Sequence, residues 1–307
     1  GRTKIVSLIS TKTGFSEDEV IKSSIQNLEY NLYSSIRSMI QGIKPDIAFL
    51  YGQGETDASR LLDIIQTLDE QYSIDSITIS GQINALVDRR YDSVDNTKIK
   101  FRNKYECLIV AKPIIPFNQK DLYIIDQYIM HGGKVLWLID PLTASMDSLQ
   151  SNAKTMAVSN YTGVEECLFN YGARLNNDLV MDLQCVQVPI VTGQYGNGQP
   201  QMTFYPWNFF PEISPNSKHI ISDKINPVKM EFVSTIDTAE GNNDIRRTPL
   251  LMSSMNTRLM NAPAEVSLQM LKQKQDPRLF NQGSKTVAML MEGKFASAFR
   301  NRLPEEM

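Results

Sequence analysis

Three short apolar runs, each closed by a loop rich in glycine or proline, constrain this chain more than anything else in it. They are Ile47–Tyr51 before Gly52-Gln53-Gly54-Glu55, Cys107–Ala111 before Pro113–Phe117, and Lys134–Ile139 before Asp140-Pro141. None alternates polar with apolar residues. A strand with one wet face must alternate, so unbroken runs fit parallel strands covered on both faces. In an open parallel sheet, ligands sit beyond the carboxyl ends of the strands. Gly52, Gln53, Gly54, Glu55, Pro113, Phe117 and Asp140 are therefore the expected ligand-binding candidates, on one shared edge.

Helical periods separate the runs. Ser16 with Glu19 reads as a capping box. Val20, Ile21, Ile25, Leu28, Leu32, Ile36 and Ile40 then recur along one helix face. Packing on its own domain is the ordinary use of such a face, and docking on a partner is the other. Asp57 and Asn118 each cap a further helix, with Leu61, Leu62, Ile65 and Leu68 inward on the first and Leu122, Ile125 and Ile129 on the second. Lys4–Ser10 and the stretch around Ile74, Ile77 and Ile79 read as strands, and Asn84–Lys104 as a helical turn plus loop. The alternation predicts right-handed crossovers and an α/β, doubly wound, mostly parallel sheet of flavodoxin-like or amidotransferase-like type.

Beyond Pro141 the pattern loosens into an α+β part. Ser145–Ala157 reads as a loop and Val164–Tyr171 as a helix ended by Gly172. Short strands are expected at Leu179–Met181, Val186–Pro189, Phe232–Ser234, Leu250–Met252 and Val287–Met291. Thr192–Pro215 is so rich in Gly, Pro and aromatics that it reads as a long structured loop. Its Tyr205, Trp207, Phe209 and Phe210 are candidates for contact with a partner, or for capping their own core. The expected divisions are 1–41, an N-terminal strand and long helix; 42–158, the sheet; and 159–307, the C-terminal part.

Composition removes several classes of function. A net charge of −3 with dispersed Lys and Arg argues against a nucleic-acid surface. Three cysteines and two distant histidines make neither a disulfide framework nor a zinc cage, so no metal is expected. No apolar run approaches the ~20 residues of a membrane helix, and the start Gly1-Arg2-Thr3 reads as a soluble piece cut from a longer protein. Gly52–Glu55 follows a strand and precedes a helix, as an anion seat would. It lacks both GxGxxG and the P-loop Lys-Ser/Thr pair, and tight-turn glycines are the plainer reading. Facing carboxylates, Glu55 and Asp140, could serve acid–base chemistry or bind a hard cation, with a turn role for Glu55 and a capping role for Asp140 as the plainer readings. No GxSxG elbow occurs, and Cys107 opens a strand, a poor place for a nucleophile. A protein without catalytic residues or cofactor is expected.

Particular stretches resemble a known family. They are Asn27–Tyr30, Gly52–Glu55, Pro113–Phe117, the block from Asp126 through Asp140, Leu168–Gly172, Ser234–Asp237 and Leu290–Phe295. Together they resemble the periplasmic region of the GldG family, auxiliary proteins of gliding-motility-associated ABC transporters, over about residues 5–303. The resemblance implies a membrane-anchored protein on the periplasmic side of the cytoplasmic membrane, held by segments absent from this chain and partnered by an ABC permease and ATPase. It also implies a core like that of intraflagellar-transport-type proteins and of sugar-binding or amidotransferase-like sheets. In that pattern the turn at Gly52 often carries His, where this chain reads Gly-Gln-Gly-Glu. The expected function is a non-enzymatic auxiliary subunit that holds a ligand or couples the permease to envelope machinery. The alternative is a saccharide-binding sensor or hydrolase-like enzyme using the edge carboxylates. A homo-oligomer could form through the helix 16–41 or the aromatic stretch.

Overall fold

The computed structural model describes residues 3–9, 16–91, 99–196, 198–216, 218–239, 244–300, 302 and 304. The chain divides into two compact units, residues 1–111 with 131–138 and residues 112–130 with 139–307. The break expected at 41/42 falls within the first unit, and that at 158/159 within the second.

The first unit opens with α1 (Glu17–Ile40), and its N-terminus carries the expected capping box: Glu19 N–H donates to Ser16 Oγ (3.4 Å) and Ser16 N–H to the Glu19 carboxylate (2.9 Å). There follow β1 (Asp46–Leu50), a 3₁₀ turn capped by Asp57, α2 (Leu62–Asp69), β2 (Ser73–Ile77), β3 (Val87–Tyr91), β4 (Ile99–Asn103), β5 (Cys107–Ala111) and β6 (Lys134–Leu138). Four of these strands form the expected parallel sheet in the order β2-β1-β5-β6. Counting only those strands, this is 2-1-3-4, the first four positions of the flavodoxin order. The central strands β1 and β5 are buried at nearly every position, as unbroken apolar runs require. Leu61, Ile65 and Leu68 pack with Ile47, Phe49 and Ile109 on one face. Burying each such side chain contributes roughly 1.5–3 kcal/mol.

Several expectations fail in this unit. Residues 4–9 form no strand, and Ser10 lies outside the described residues. Leu62 is exposed. Within the stretch 84–104, residues 92–98 lie outside the described residues; where a helical turn with a loop was expected, the described part holds β3 and β4, paired antiparallel. The run at β6, apolar enough for a central strand, is an edge strand that leaves Leu136 and Leu138 in solvent. The apolar face of α1 also points outward, with Ile25 67% and Ile40 79% exposed while Ser24, Ser34 and Ser35 are buried. Polar anchoring explains this rotation. Ser34 Oγ donates to Glu70 (3.2 Å), and Gln71 Nε2 donates to the Ser34 carbonyl (3.0 Å) and hydroxyl (2.8 Å).

The second unit holds α3 (Gln119–Met130), α4 (Met146–Asn152), β7 (Lys154–Ala157), α5 (Val164–Tyr171), β8 (Ala173–Leu175), β9 (Asp178–Asp182), β10 (Cys185–Gln194), β11 (Pro200–Pro215), β12 (Val228–Lys229), β13 (Ile236–Thr238), β14 (Ile245–Met252), β15 (Thr257–Asn261), β16 (Ala264–Ser267) and β17 (Thr286–Gly293). Its ladders are antiparallel, the largest in the order β10-β11-β14-β17 with β12 beside β11. The protein is thus mixed α/β, with one four-stranded parallel sheet and several antiparallel ones, not a mostly parallel sheet.

The expected loop 145–157 is α4 and β7, and Phe232–Ser234 precedes β13 without being a strand. The expected long loop 192–215 is mostly the hairpin β10–β11. Proline cannot donate to a ladder, yet β11 carries Pro206, Pro211 and Pro215. It accommodates them by breaking register opposite Cys185–Gln187 and by changing partners, from β10 to β12 and β14. The Pro211 carbonyl still accepts, from Met230 N–H (3.1 Å).

Candidate functional site

The turn after β1 is built around Glu55. Its Oε2 accepts the N–H groups of Gly52 (3.0 Å) and Gln53 (2.8 Å), so the backbone donors that could seat an anion are filled by the protein's own carboxylate. Gly52 sits at φ +127°, where a Cβ would also press on Thr78 at 3.1 Å, and only glycine fits. Among the described residues Glu55 Oε1 is buried without a hydrogen-bond partner. Burial, then the charges of Asp57 and Glu55, push the Tyr51 phenol above its ordinary range. Asp57 is held below its own range by the Ser59 hydroxyl and N–H as it caps the 3₁₀ turn.

Pro113, Phe117 and Asp140 belong to the second unit. Pro113 and Phe117 are buried, and Phe117 N–H donates to the Thr162 carbonyl (2.9 Å). Between them Ile114, Ile115 and Pro116 are exposed. Asp140 pairs with Lys112 at 2.7 Å. Asn160 ties the two loops together, its Nδ2 donating to the carbonyls of Pro113 (3.2 Å) and Asp140 (3.0 Å). Nothing in the sequence singled out Asn160, since an asparagine in a polar stretch resembles any turn residue. Glu55 and Asp140 are thus each engaged by a local partner.

The aromatic candidates separate. Trp207 (2% exposed), Phe209 and Phe210 are the centre of the second unit's core. The Trp207 and Phe209 rings lie 5.5 Å apart, and Phe210 meets Phe232 edge-on at 5.2 Å. Of the two uses open to these aromatics, the structure places these three in the core of their own unit, and Tyr205 packs half-buried against them. Their neighbours face the other way. Val191 pairs with Met202 and Pro189 with Phe204 across β10–β11, and Val191, Met202 and Phe204 are exposed. Period-two alternation along Met202–Trp207 held that signal, hidden by reading the stretch as a loop.

The arginine pair 246–247 is also engaged by local partners. Arg246 pairs with Glu292 (2.6 Å), and Arg247 donates to the Gly172 carbonyl (2.9 Å). The cysteines are free thiols, and burial foremost raises Cys167 to about 12 and Cys185 to about 11. Among the described residues no group of three His, Cys, Asp or Glu could hold a metal ion, and no helix is long and apolar enough to cross a membrane.

The family described as "ABC-type uncharacterized transport system" matches residues 44–307, and the chain belongs to that family. No curated protein matches it. It is similar to one solved structure, "mmIFT52 N-terminal domain", at 14% identity and a TM-score of 0.36, over 71% of this chain and 77% of that one.

Proposed function

We propose that this member of the ABC-type uncharacterized transport system family is a non-enzymatic auxiliary subunit that couples a permease and its ATPase to other components outside the cytoplasmic membrane. The family match over residues 44–307 carries the reading. The finer parts of it, a periplasmic place, membrane anchorage beyond this chain and kinship with the gliding-motility proteins, rest on the resemblance of the block from Asp126 through Asp140 and of the shorter stretches. Two surface features support coupling by contact over chemistry: the local engagement of Glu55 and Asp140, and the apolar outer face of β10–β11 at Val191, Met202 and Phe204. That face takes the contact role first given to the neighbouring aromatics.

The test is affinity isolation of the tagged protein from its own membranes after mild crosslinking. A permease and an ATPase subunit should be recovered, and Met202→Ser with Phe204→Ser should lower their recovery at least tenfold. Recovery of neither subunit from the unsubstituted protein would refute the reading. Unchanged recovery from the variant would take the hairpin out of it.

A further inference from the structure

The outward face of α1 is the largest feature left unexplained. Its stripe is Ile21, Ile25, Leu28, Leu32, Ile36 and Ile40, every one of them exposed. Over 24 residues the helix is about 36 Å long. Six apolar side chains in a row on a water-facing helix mark a contact surface.

The order of residues says what fits it. Read from either end, the stripe is Ile, Ile, Leu, Leu, Ile, Ile, at nearly equal distances from its midpoint. A two-fold contact needs this property, because residue i must meet j while j meets i. Turned antiparallel, Ile21 lies opposite Ile40, and Ile25 opposite Ile36. An open groove lined by Tyr33, Ile36, Arg37, Ile40 and Gln41 then faces Ile21 and Ile25 of the second copy. Charge selects the direction. A parallel pair would bring two acidic first turns together, Glu17, Asp18 and Glu19 against the same residues. An antiparallel pair sets each acidic turn at the other helix's C-terminal end, where Arg37 lies and the dipoles are opposed. An anionic lipid surface fits poorly, since Glu17, Asp18, Glu19 and Glu29 outnumber Lys22 and Arg37. The stripe offers on the order of 600 Å² per copy, which places a pair at the low end of stable interfaces.

We infer that α1 is a self-association surface, on which a second copy of this chain docks antiparallel through Ile21, Ile25, Leu28, Leu32, Ile36 and Ile40. This self-association is independent of the transport reading. Sedimentation equilibrium on the 307-residue chain tests it, with a dimer expected at concentrations on the order of 10 µM. Ile25→Glu with Ile36→Glu should weaken the dimer at least 100-fold by setting carboxylates opposite one another. Ile25→Lys with Ile36→Glu should bring it back to within tenfold of the parent, since antiparallel docking sets the introduced lysine of each copy against the introduced glutamate of the other. Far-UV circular dichroism checks that both variants keep their helix, as exposed positions should. A chain that stays monomeric at about 200 µM, well above the expected midpoint, a dimer indifferent to the double-Glu variant, or a failure of the Lys/Glu variant to recover would each overturn the inference. So would a monomer that binds phosphatidylglycerol vesicles through these same residues.

Discussion

Removing the Asp126 carboxylate should uncouple three segments of the second unit at once. Asp126 is 1% exposed on α3. Its Oδ1 accepts the Tyr171 hydroxyl from α5 (2.7 Å) and Ala298 N–H (2.8 Å), and its Oδ2 accepts the Ser297 hydroxyl (2.7 Å) and Gln127 Nε2 (3.1 Å). Asp126→Ala leaves Tyr171, Ser297 and Ala298 with donors and no acceptor. Each buried orphan costs about 1–3 kcal/mol, so the loss is about 4 kcal/mol once the Ser297 hydroxyl finds water. Asp126→Asn keeps a carbonyl oxygen for Tyr171 and Ala298, and the Ser297 hydroxyl can turn to accept. It should cost only about 1–2 kcal/mol, the difference between a charged and a neutral acceptor. The assay is urea unfolding followed by tryptophan fluorescence. Trp137 lies in the first unit and Trp207 in the second, so a Trp137→Phe background leaves Trp207 as sole reporter of the unit that holds Asp126. With a slope of about 2 kcal/mol per M, the alanine variant should lower the midpoint by about 2 M and the asparagine variant by under about 1 M. An alanine shift below about 0.5 M, or equal shifts for the two variants, would refute the reasoning.

Three further outcomes follow from the same structure. Gly293 sits at φ +143° with the Asp244 carbonyl where a Cβ would go, so Gly293→Ala should cost about 2–3 kcal/mol in the same unfolding assay. Trp207→Ala should cost about 3–5 kcal/mol, whereas Phe204→Ser, 61% exposed on the adjacent face, should stay within about 0.5 kcal/mol of the parent. Stability should fall at alkaline pH. Burial first, then the Asp126 charge, raises the Cys167 thiol to about 12 and also raises the Tyr171 phenol. Groups whose folded pKa lies above the unfolded value stabilise fully below the unfolded pKa, and the loss here begins at about pH 9 for the thiol and about pH 10 for the phenol. A midpoint constant from about pH 8 to about pH 11 would contradict this.

Much of the first unit, and the entry to α3 in the second, was legible because the signals are local. The capping box at Ser16 and Glu19, the cap at Asp57 (of a 3₁₀ turn that leads into α2) and the cap at Asn118 depend on residues within three or four positions of one another, and all are found. The unbroken runs at β1 and β5 demand cover on both faces, and that demand alone selects a parallel sheet interior. The glycine turn at Gly52 and the plainer role of Glu55 were equally within reach of the sequence, since a carboxylate three residues beyond a glycine turn can fold back onto its N–H groups.

What tertiary structure decided are the matters that depend on distant residues. Sequence placed seven apolar residues along one face of α1, but Glu70 and Gln71 turned the serine side inward and left six of the seven exposed. Sequence made β6 as apolar as β5, but nothing local says that a strand is last in its sheet. Asp126 carries no local signal of burial, and the groups that bury it, Tyr171, Ser297 and Ala298, come to it from 45 to 172 residues away. The hairpin β10–β11 was hidden by its own prolines, which a strand tolerates at a sheet edge, as in β10, or where register breaks, as in β11 between Pro206 and Pro211. Periodicity and caps are written within a few turns of chain, and they determined which elements form. Which face of each element is buried is fixed by partners far along the chain, and only packing could settle it.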